Sequence, residues 1–340
     1  MSTLKKASRF SKTPLLASLL AAGMAAPYAH ADGFELAPGL TMNGFLDMSY
    51  NVVDPDDADE DENAGIDQWE IQLHYDFGQG LTAHVDVEWD DNGDEEGEEM
   101  HLEQAFINYQ INDAFSTKAG RFLSYSGWET EDPTGLYQYS GTGYAKYFYG
   151  AYQQGASGLY SGDLFTGAVS LVTDIGNLDG DVTDTDNMAV EVMAALTPTD
   201  SITWKTFYMG QESDINGDDI TMINSWASYT IGGFTFALEG NYSENNNAAV
   251  GTAGDEAEAY GGLFMANYAF DNGWGITFRY HQSEVETEGG DTVEDITGYT
   301  IAPSWQIHPN LLLVAEYRMD NEDVSDVDTD SYAIEALLTW

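Results

Sequence analysis

The strongest constraint on this chain is a two-residue rhythm. Trp69, Ile71, Leu73, Tyr75 and Phe77 alternate with Glu70, Gln72, His74 and Asp76. After the Gly78-Gln79-Gly80 turn, Leu81, Ala83, Val85, Val87 and Trp89 alternate with Thr82, His84, Asp86 and Glu88. The pattern returns where Trp274, Ile276, Phe278 and Tyr280 are set against Gly275, Thr277, Arg279 and His281. It ends with Tyr332, Ile334, Ala336, Leu338 and Trp340 against Ala333, Glu335, Leu337 and Thr339. Side chains of a strand project to opposite faces in turn, so this spacing predicts strands with two unlike faces. No helical periodicity of comparable length competes.

The connections between these segments also alternate. Short turns fall near 78–80, 112–114, 161–163, 198–200, 232–233, 271–273 and 308–310. Longer loops fall near 51–65, 90–99, 124–145, 175–187, 211–219, 244–258, 284–295 and 320–330. Together they join about sixteen strands with a hairpin rhythm and no interdomain linker.

Charge follows the same division. The chain holds 59 acidic and 10 basic residues and no cysteine. Of the acids, 41 lie in the long loops and 4 in the short turns. One end of the fold is therefore strongly anionic and the other is not. A soluble secreted sandwich would share the alternation but has no reason to sort its charge this way. A barrel whose two ends face different compartments does.

The N-terminal stretch is distinct. Lys5, Lys6, Arg9 and Lys12 precede a mostly apolar run from Leu15 to Ala26, followed by Ala29-His30-Ala31. That order reads as a signal peptide, 1–31, removed from a mature chain of 32–340. Beyond it no apolar run reaches the length of a transmembrane helix. The remaining 6 bases against 59 acids argue against nucleic-acid binding, which needs Lys and Arg on phosphates. The absence of cysteine removes disulfide scaffolds and thiolate metal sites. The 21 Tyr, 15 Phe and 8 Trp oppose disorder, the common reading of such acidity.

In hydrocarbon every backbone amide needs a partner, so only helices and closed barrels span a bilayer. The alternating segments have the length and the aromatic ends of membrane-barrel strands. The fold class expected is a transmembrane, antiparallel, up-and-down β-barrel of about sixteen strands, embedded in outer-membrane lipid.

In that architecture the chain resembles a bacterial outer-membrane porin. More narrowly, Ala119-Gly120-Arg121-Phe122-Leu123, followed by Gly127-Trp128-Glu129, is similar to a stretch of the β-barrel porin-2 family. There a Gly-Arg-Phe strand end leads into a Gly-aromatic-Glu loop. The resemblance implies a channel for small hydrophilic solutes, with both termini and the short turns in the periplasm and the acidic loops outside. It also implies that Trp340 signals to the barrel assembly machinery, that a homotrimer is the assembly to expect, and that the third long loop folds into the lumen.

A sixteen-strand barrel leaves an aqueous channel whose selectivity comes from charges on its wall. The alternation places Glu70, Asp76, Asp86, Glu88, Glu239, Glu316 and Glu335 inward, together with Lys205, Arg279 and Arg318. Lys118 and Lys146 are assigned to the same face. Arg121 has the opposite parity from Lys118. Loop 124–145 carries Glu129, Glu131 and Asp132, expected to face the wall bases across a constriction. An ordinary solvated surface loop is the alternative. An acidic mouth gathers cations, while the same acidity also suits a protein that stays hydrated in brine.

No cofactor is implied. The Asp-rich loops fail the EF-hand pattern: 214–219 places its Gly too early, and 326–337 has no Gly and ends on Leu337 instead of Glu. Weak divalent binding between loops is left without a defined site. Ser283 shares a face with His281, but no third group completes a hydrolytic triad, so no enzyme is expected. A structural or adhesive barrel with a blocked lumen, and a substrate-specific channel with aromatic stacking along loop 124–145, are the rival functions.

Overall fold

The computed structural model describes residues 33–90, 99–129, 132–173, 188–212, 219–254 and 256–340. The segment read as a signal peptide, 1–31, and Glu131 lie outside the described residues. The first strands are β1 (Phe34–Ala37), β2 (Leu40–Pro55), β3 (Asp61–Gly78), β4 (Leu81–Asp90), β5 (Glu99–Gln110) and β6 (Phe115–Leu123). They are followed by β7 (Tyr152–Ser161), β8 (Phe165–Val172), β9 (Ala189–Thr199), β10 (Ile202–Gln211), β11 (Ile220–Ile231) and β12 (Phe234–Glu244). The last are β13 (Ala257–Ala269), β14 (Trp274–Thr287), β15 (Thr292–His308), β16 (Leu311–Glu322) and β17 (Val327–Thr339).

Each strand from β2 to β16 pairs antiparallel with the next, and β17 returns to β2. The result is a closed barrel of sixteen strands, β2 to β17, with β1 outside the ring. At the seam Thr339 lies opposite Phe45 and Thr329 opposite Pro55. Trp340 extends the seam by exchanging both backbone hydrogen bonds with Gly44, at 3.0 and 3.2 Å. A Cβ on Gly44 would stand 2.1 Å from the Glu70 carbonyl oxygen and 2.9 Å from the Trp340 ring, so this position takes glycine only. Beyond Trp340 the free edge of β2 is taken by β1, with Phe34 opposite Met42. The edge that would otherwise be left unpaired is thus covered.

The period of two sorts the side chains as the alternation requires. On β14, Trp274, Ile276 and Phe278 are exposed on the outside, while Thr277, Arg279 and His281 are buried inside. The outer aromatics form cross-strand pairs at two levels. Near the short turns Trp274 stacks on Trp305 at 5.2 Å, and Phe115 and Phe234 meet Tyr160 and Tyr268. Near the opposite end Tyr242, Tyr280 and Tyr317 meet Tyr260, Tyr299 and Tyr332. Rows of amphipathic rings bounding an apolar band match the two interfaces of a bilayer. Arg121, opposite Ala105 and Gln154, has the outward parity and stands near the end of β6.

Three segments read as long loops are mostly strand. The connections β2–β3, β14–β15 and β16–β17 are reduced to 56–60, 288–291 and 323–326. Acid-rich sequence suggests loop, but a backbone ladder does not require apolar side chains. Here it runs past the aromatic rows on acid-rich sequence interrupted by single valines such as Val53 and Val285. Cross-strand bonds such as Tyr50 Oη to Glu62 at 3.2 Å and Tyr317 Oη to Asp330 at 2.7 Å accompany it.

Candidate functional site

The connection between β6 and β7, 124–151, enters the barrel and is fastened to the inner wall. It leaves β6 through Ser124, whose Oγ donates to Glu191 Oε2 at 2.8 Å. Gly127 then turns the chain with φ of +82°, and a Cβ there would meet the Tyr149 ring at 2.6 Å. The next two steps reach across to β11 and β12. Gly127 N donates to Asn224 Oδ1 at 3.1 Å, and Trp128 N to Glu239 Oε1 at 2.8 Å.

Glu129 meets β14. Its Oε1 lies 2.7 Å from Arg279 Nη1, and its Oε2 accepts from Thr142 N at 2.7 Å, so one carboxylate ties wall and loop together. A single 3-10 turn follows at Pro133–Gly135. Tyr137 and Trp128 stack on one another at 6.2 Å, and both are buried, which covers the ring faces a sugar would need.

The far part of the loop reaches β2, β3 and β16. Tyr139 Oη donates to Asp67 Oδ2 at 3.2 Å and bonds Ser49 at 3.0 Å. Ser140 N donates to Glu316 Oε2 at 3.1 Å. Arg318 donates to the carbonyls of Gly141 at 2.6 Å and Thr142 at 2.9 Å, and pairs with Asp320 at 2.6 Å.

The return limb carries helix α1 (Ala145–Phe148). The connection β12–β13 contributes α2 (Asn247–Ala253), capped by Asn246 and closed by Gly254 at φ of +78°. Tyr147 Oη bonds Thr252 at 3.1 Å and Glu294 at 2.9 Å, joining the two helices to β15. Tyr144 donates to Glu239 at 2.8 Å. Burial, with the charge of Glu239 beside it, holds the Tyr144 phenol well above its usual range, so it remains a donor.

The wall residues read from the alternation are distributed as follows. Arg279 and Glu129 are brought into contact, and Arg318 is held by loop carbonyls. Lys118 is inward, with its Nζ 4.2 Å from the Phe122 ring and 4.3 Å from Tyr125. Lys205 is inward, buried under Trp226 at 5.3 Å. Lys146 does not stand on the wall. It lies on α1 within the loop, because the chain from 145 to 148 takes a helical turn instead of continuing the alternation of a strand.

Glu70, Asp86 and Glu88 are inward and buried on β3 and β4. Asp86 is bonded by His84 at 2.8 Å and Gln104 at 2.6 Å, and Glu88 by Gln68. Glu335 and Asp47 share the inner face of the seam.

Two residues with structural weight were not singled out by sequence. Glu191 gathers Ser124, Gln153 and Ser170, and its inward parity on β9 was available to reading. Glu103 was not, because a register shift between Asp86 and Val87 breaks the alternation of β5 there.

The lumen is not lined evenly. Most inward residues of β8 to β17 are buried, among them Thr166, Lys205, Asn224, Asn267 and Thr300. Apolar clusters account for much of this coverage. One gathers Phe122, Tyr125, Phe207 and Met209, another Trp128, Tyr147, Trp226 and Leu263, and a third Phe45, Leu312, Val314 and Leu337. On β3 to β5, by contrast, Gln72, His74, Thr82, His84, Asn108 and Gln110 keep partial exposure. Above the loop a cavity of about 520 Å³ is bounded by Thr142, Tyr144, Lys146, Glu294, Arg318 and Asp320.

A closed sixteen-strand barrel with an apolar coat, aromatic rows and an inserted loop defines a porin-type barrel of the outer membrane. This chain belongs to the family described as putative beta-barrel porin-2, OmpL-like, whose profile matches residues 41–336. No curated protein matches it in sequence.

Among solved structures it is similar to Salmonella typhi OmpF in complex with daunomycin, at a TM-score of 0.68 and 16% identity, over 90% of this chain and 100% of that one. It is also similar to an anion-selective porin from Comamonas acidovorans, at 0.66 and 12%, over 88% and 99%. The trimer form of in-vitro folded OmpT from Vibrio cholerae matches at 0.61 and 13%, over 89% and 100%.

Proposed function

We propose that this protein is a diffusion porin that admits small hydrophilic solutes and favours cations. The observation that carries the reading is the asymmetry of the lumen. Solvent reaches Gln72, His74, Thr82, His84, Asn108 and Gln110 along β3 to β5, and the same wall holds the buried acids Glu70, Asp86, Glu88 and Glu103. Arg279, Arg318, Lys118 and Lys205 are occupied by the loop or by aromatic rings. A low-dielectric passage with more acids than bases on one wall attracts cations and repels anions. The acidic outer loops add to this within a Debye length of ~8 Å at physiological salt. The same loops would keep the outer surface hydrated in a saline habitat.

The chain enters the export pathway through segment 1–31, and Trp340 at the seam is the signal presented to the assembly machinery. Three such barrels associate in the membrane, a proposal supported by the trimer form of the Vibrio cholerae neighbour. No catalytic role is proposed.

The test is a planar-bilayer recording on protein refolded in detergent. Stepwise ohmic conductance is expected, with a reversal potential of cationic sign under a salt gradient. An anionic sign would overturn the preference. Electrical silence would favour a second reading, a surface barrel with a closed lumen, which the buried inner face of β8 to β17 supports.

A further inference from the structure

We propose that Glu70, Glu103 and Asp132 hold a calcium-sized divalent cation that fastens the root of the inserted loop to the barrel wall. The three residues come from β3, from the register shift of β5, and from the loop. One carboxylate oxygen of each lies within 4.8 Å of the other two. Two oxygens on opposite sides of a calcium ion, at ~2.4 Å each, are separated by ~4.8 Å, so a single ion can touch all three.

An independent observation points to a missing partner. Glu70 is 0% exposed, and among the described residues no donor meets hydrogen-bond geometry at either carboxylate oxygen, its polar neighbours being Gln72 and the carboxyl group of Glu103. A buried carboxylate without a donor is strongly unfavourable, and it is worse when it faces other carboxylates. The described bases do not relieve it. Arg279 is paired with Glu129 and Arg318 with Asp320, Lys118, Lys146 and Lys205 lie against rings, and Arg121 has the outward parity. A hard divalent cation supplies the absent charge and prefers carboxylate oxygen. Glu88, which faces Glu103, can add a fourth ligand, with water completing the shell.

The consequence is mechanical as well as electrostatic. Asp132 begins the 3-10 turn Pro133–Gly135, directly after the part of the loop held by Arg279. A cation here would hold that turn to β3 and β5, on the side where the lumen keeps its contact with solvent. It would also offset part of the negative charge of that wall.

Calcium titration calorimetry on refolded full-length protein tests the claim, in about 0.5 M NaCl to screen the external acids. The wild type should take up one ion per chain saturably. Glu70→Gln and Glu103→Gln should each weaken binding by roughly tenfold or more, since affinity follows the number of charged ligands. A control substituting the outer acids, Asp326→Asn with Asp328→Asn, should bind as the wild type does.

Chelator-treated Glu70→Gln should resist unfolding at least as well as the chelator-treated wild type, because it lacks one of three repelling charges, and calcium should raise only the wild type. Asp132→Asn, on the loop and outside the ladder, serves where a wall variant fails to refold. Unsaturable uptake, or equal affinity in all variants, would overturn the site. The claim is separate from conduction: binding in an electrically silent barrel leaves it intact, and conduction without binding removes it.

Discussion

Glu129 Oε1 and Arg279 Nη1 lie 2.7 Å apart in the middle of the barrel, with the arginine 0% and the glutamate 9% exposed. The pair joins a loop to a strand 150 residues away. Arg279 also donates to Ser140 Oγ and Thr300 Oγ1, at 3.1 and 3.0 Å, so its planar fork is shared between loop and wall. It is the clearest reason that this loop stays inside.

Removing one partner of this pair should free the loop. Arg279→Ala leaves a buried carboxylate unpaired, a change that costs about 3–5 kcal/mol in comparable sites. Denaturant unfolding in micelles should show the loss, and single-channel conductance should rise as the loop leaves the lumen. Unchanged conductance would mean that the pair has no part in narrowing the passage.

Glu239 collects Trp128 N, Tyr144 Oη, Tyr149 Oη and Asn224 Nδ2. Tyr144→Phe removes one donor and should destabilise by about 1–3 kcal/mol, as the buried carboxylate loses a partner. Tyrosine fluorescence during unfolding measures it.

The seam should be sensitive to a single methyl group. Gly44→Ala forces a Cβ into the Glu70 carbonyl and the Trp340 ring, and the refolded fraction on heat-modifiable gel shift should fall sharply. Gly158→Ala, where a Cβ meets nothing within 4 Å, should refold like the wild type to within about 0.5 kcal/mol.

Selectivity should divide by ionic strength. Asp86→Asn with Glu88→Gln should lower the cation-to-anion permeability ratio at both low and high salt. Neutralising Asp56, Asp57, Asp59 and Glu60 should lower it only at low salt, because at 1 M the screening length is ~3 Å. Reversal potentials at two salt concentrations separate the two groups. Equal effects at 1 M would place the outer acids within the passage itself.

The barrel was legible in the chain because its determinants are local. Whether a residue faces in or out depends on counting by two, and that count is correct from Trp69 to Trp89 and again from Trp274 to Tyr280. Turn positions were legible for the same reason, since a tight hairpin declares itself in adjacent residues such as Gly232-Gly233. Strand ends were not. The acid-rich stretches around Asp61 and Asp328 remain in the ladder because backbone pairing is indifferent to side-chain charge outside hydrocarbon.

What only the tertiary structure decided are the meetings between distant segments. Charge type and parity suggested that loop acids and wall bases belong together. Which acid reaches which base depends on a 28-residue excursion, 124–151, whose course is set by contacts with strands from β2 round to β16. Lys146 left the wall for a helical turn, and Glu103 entered the lumen through a register shift, neither of which has a periodic signature. The nearness of Glu70, Glu103 and Asp132 arises only when β3, β5 and the loop are folded against one another. Periodicity specifies a surface facing inward; closure of the ring and insertion of the loop specify what that surface touches.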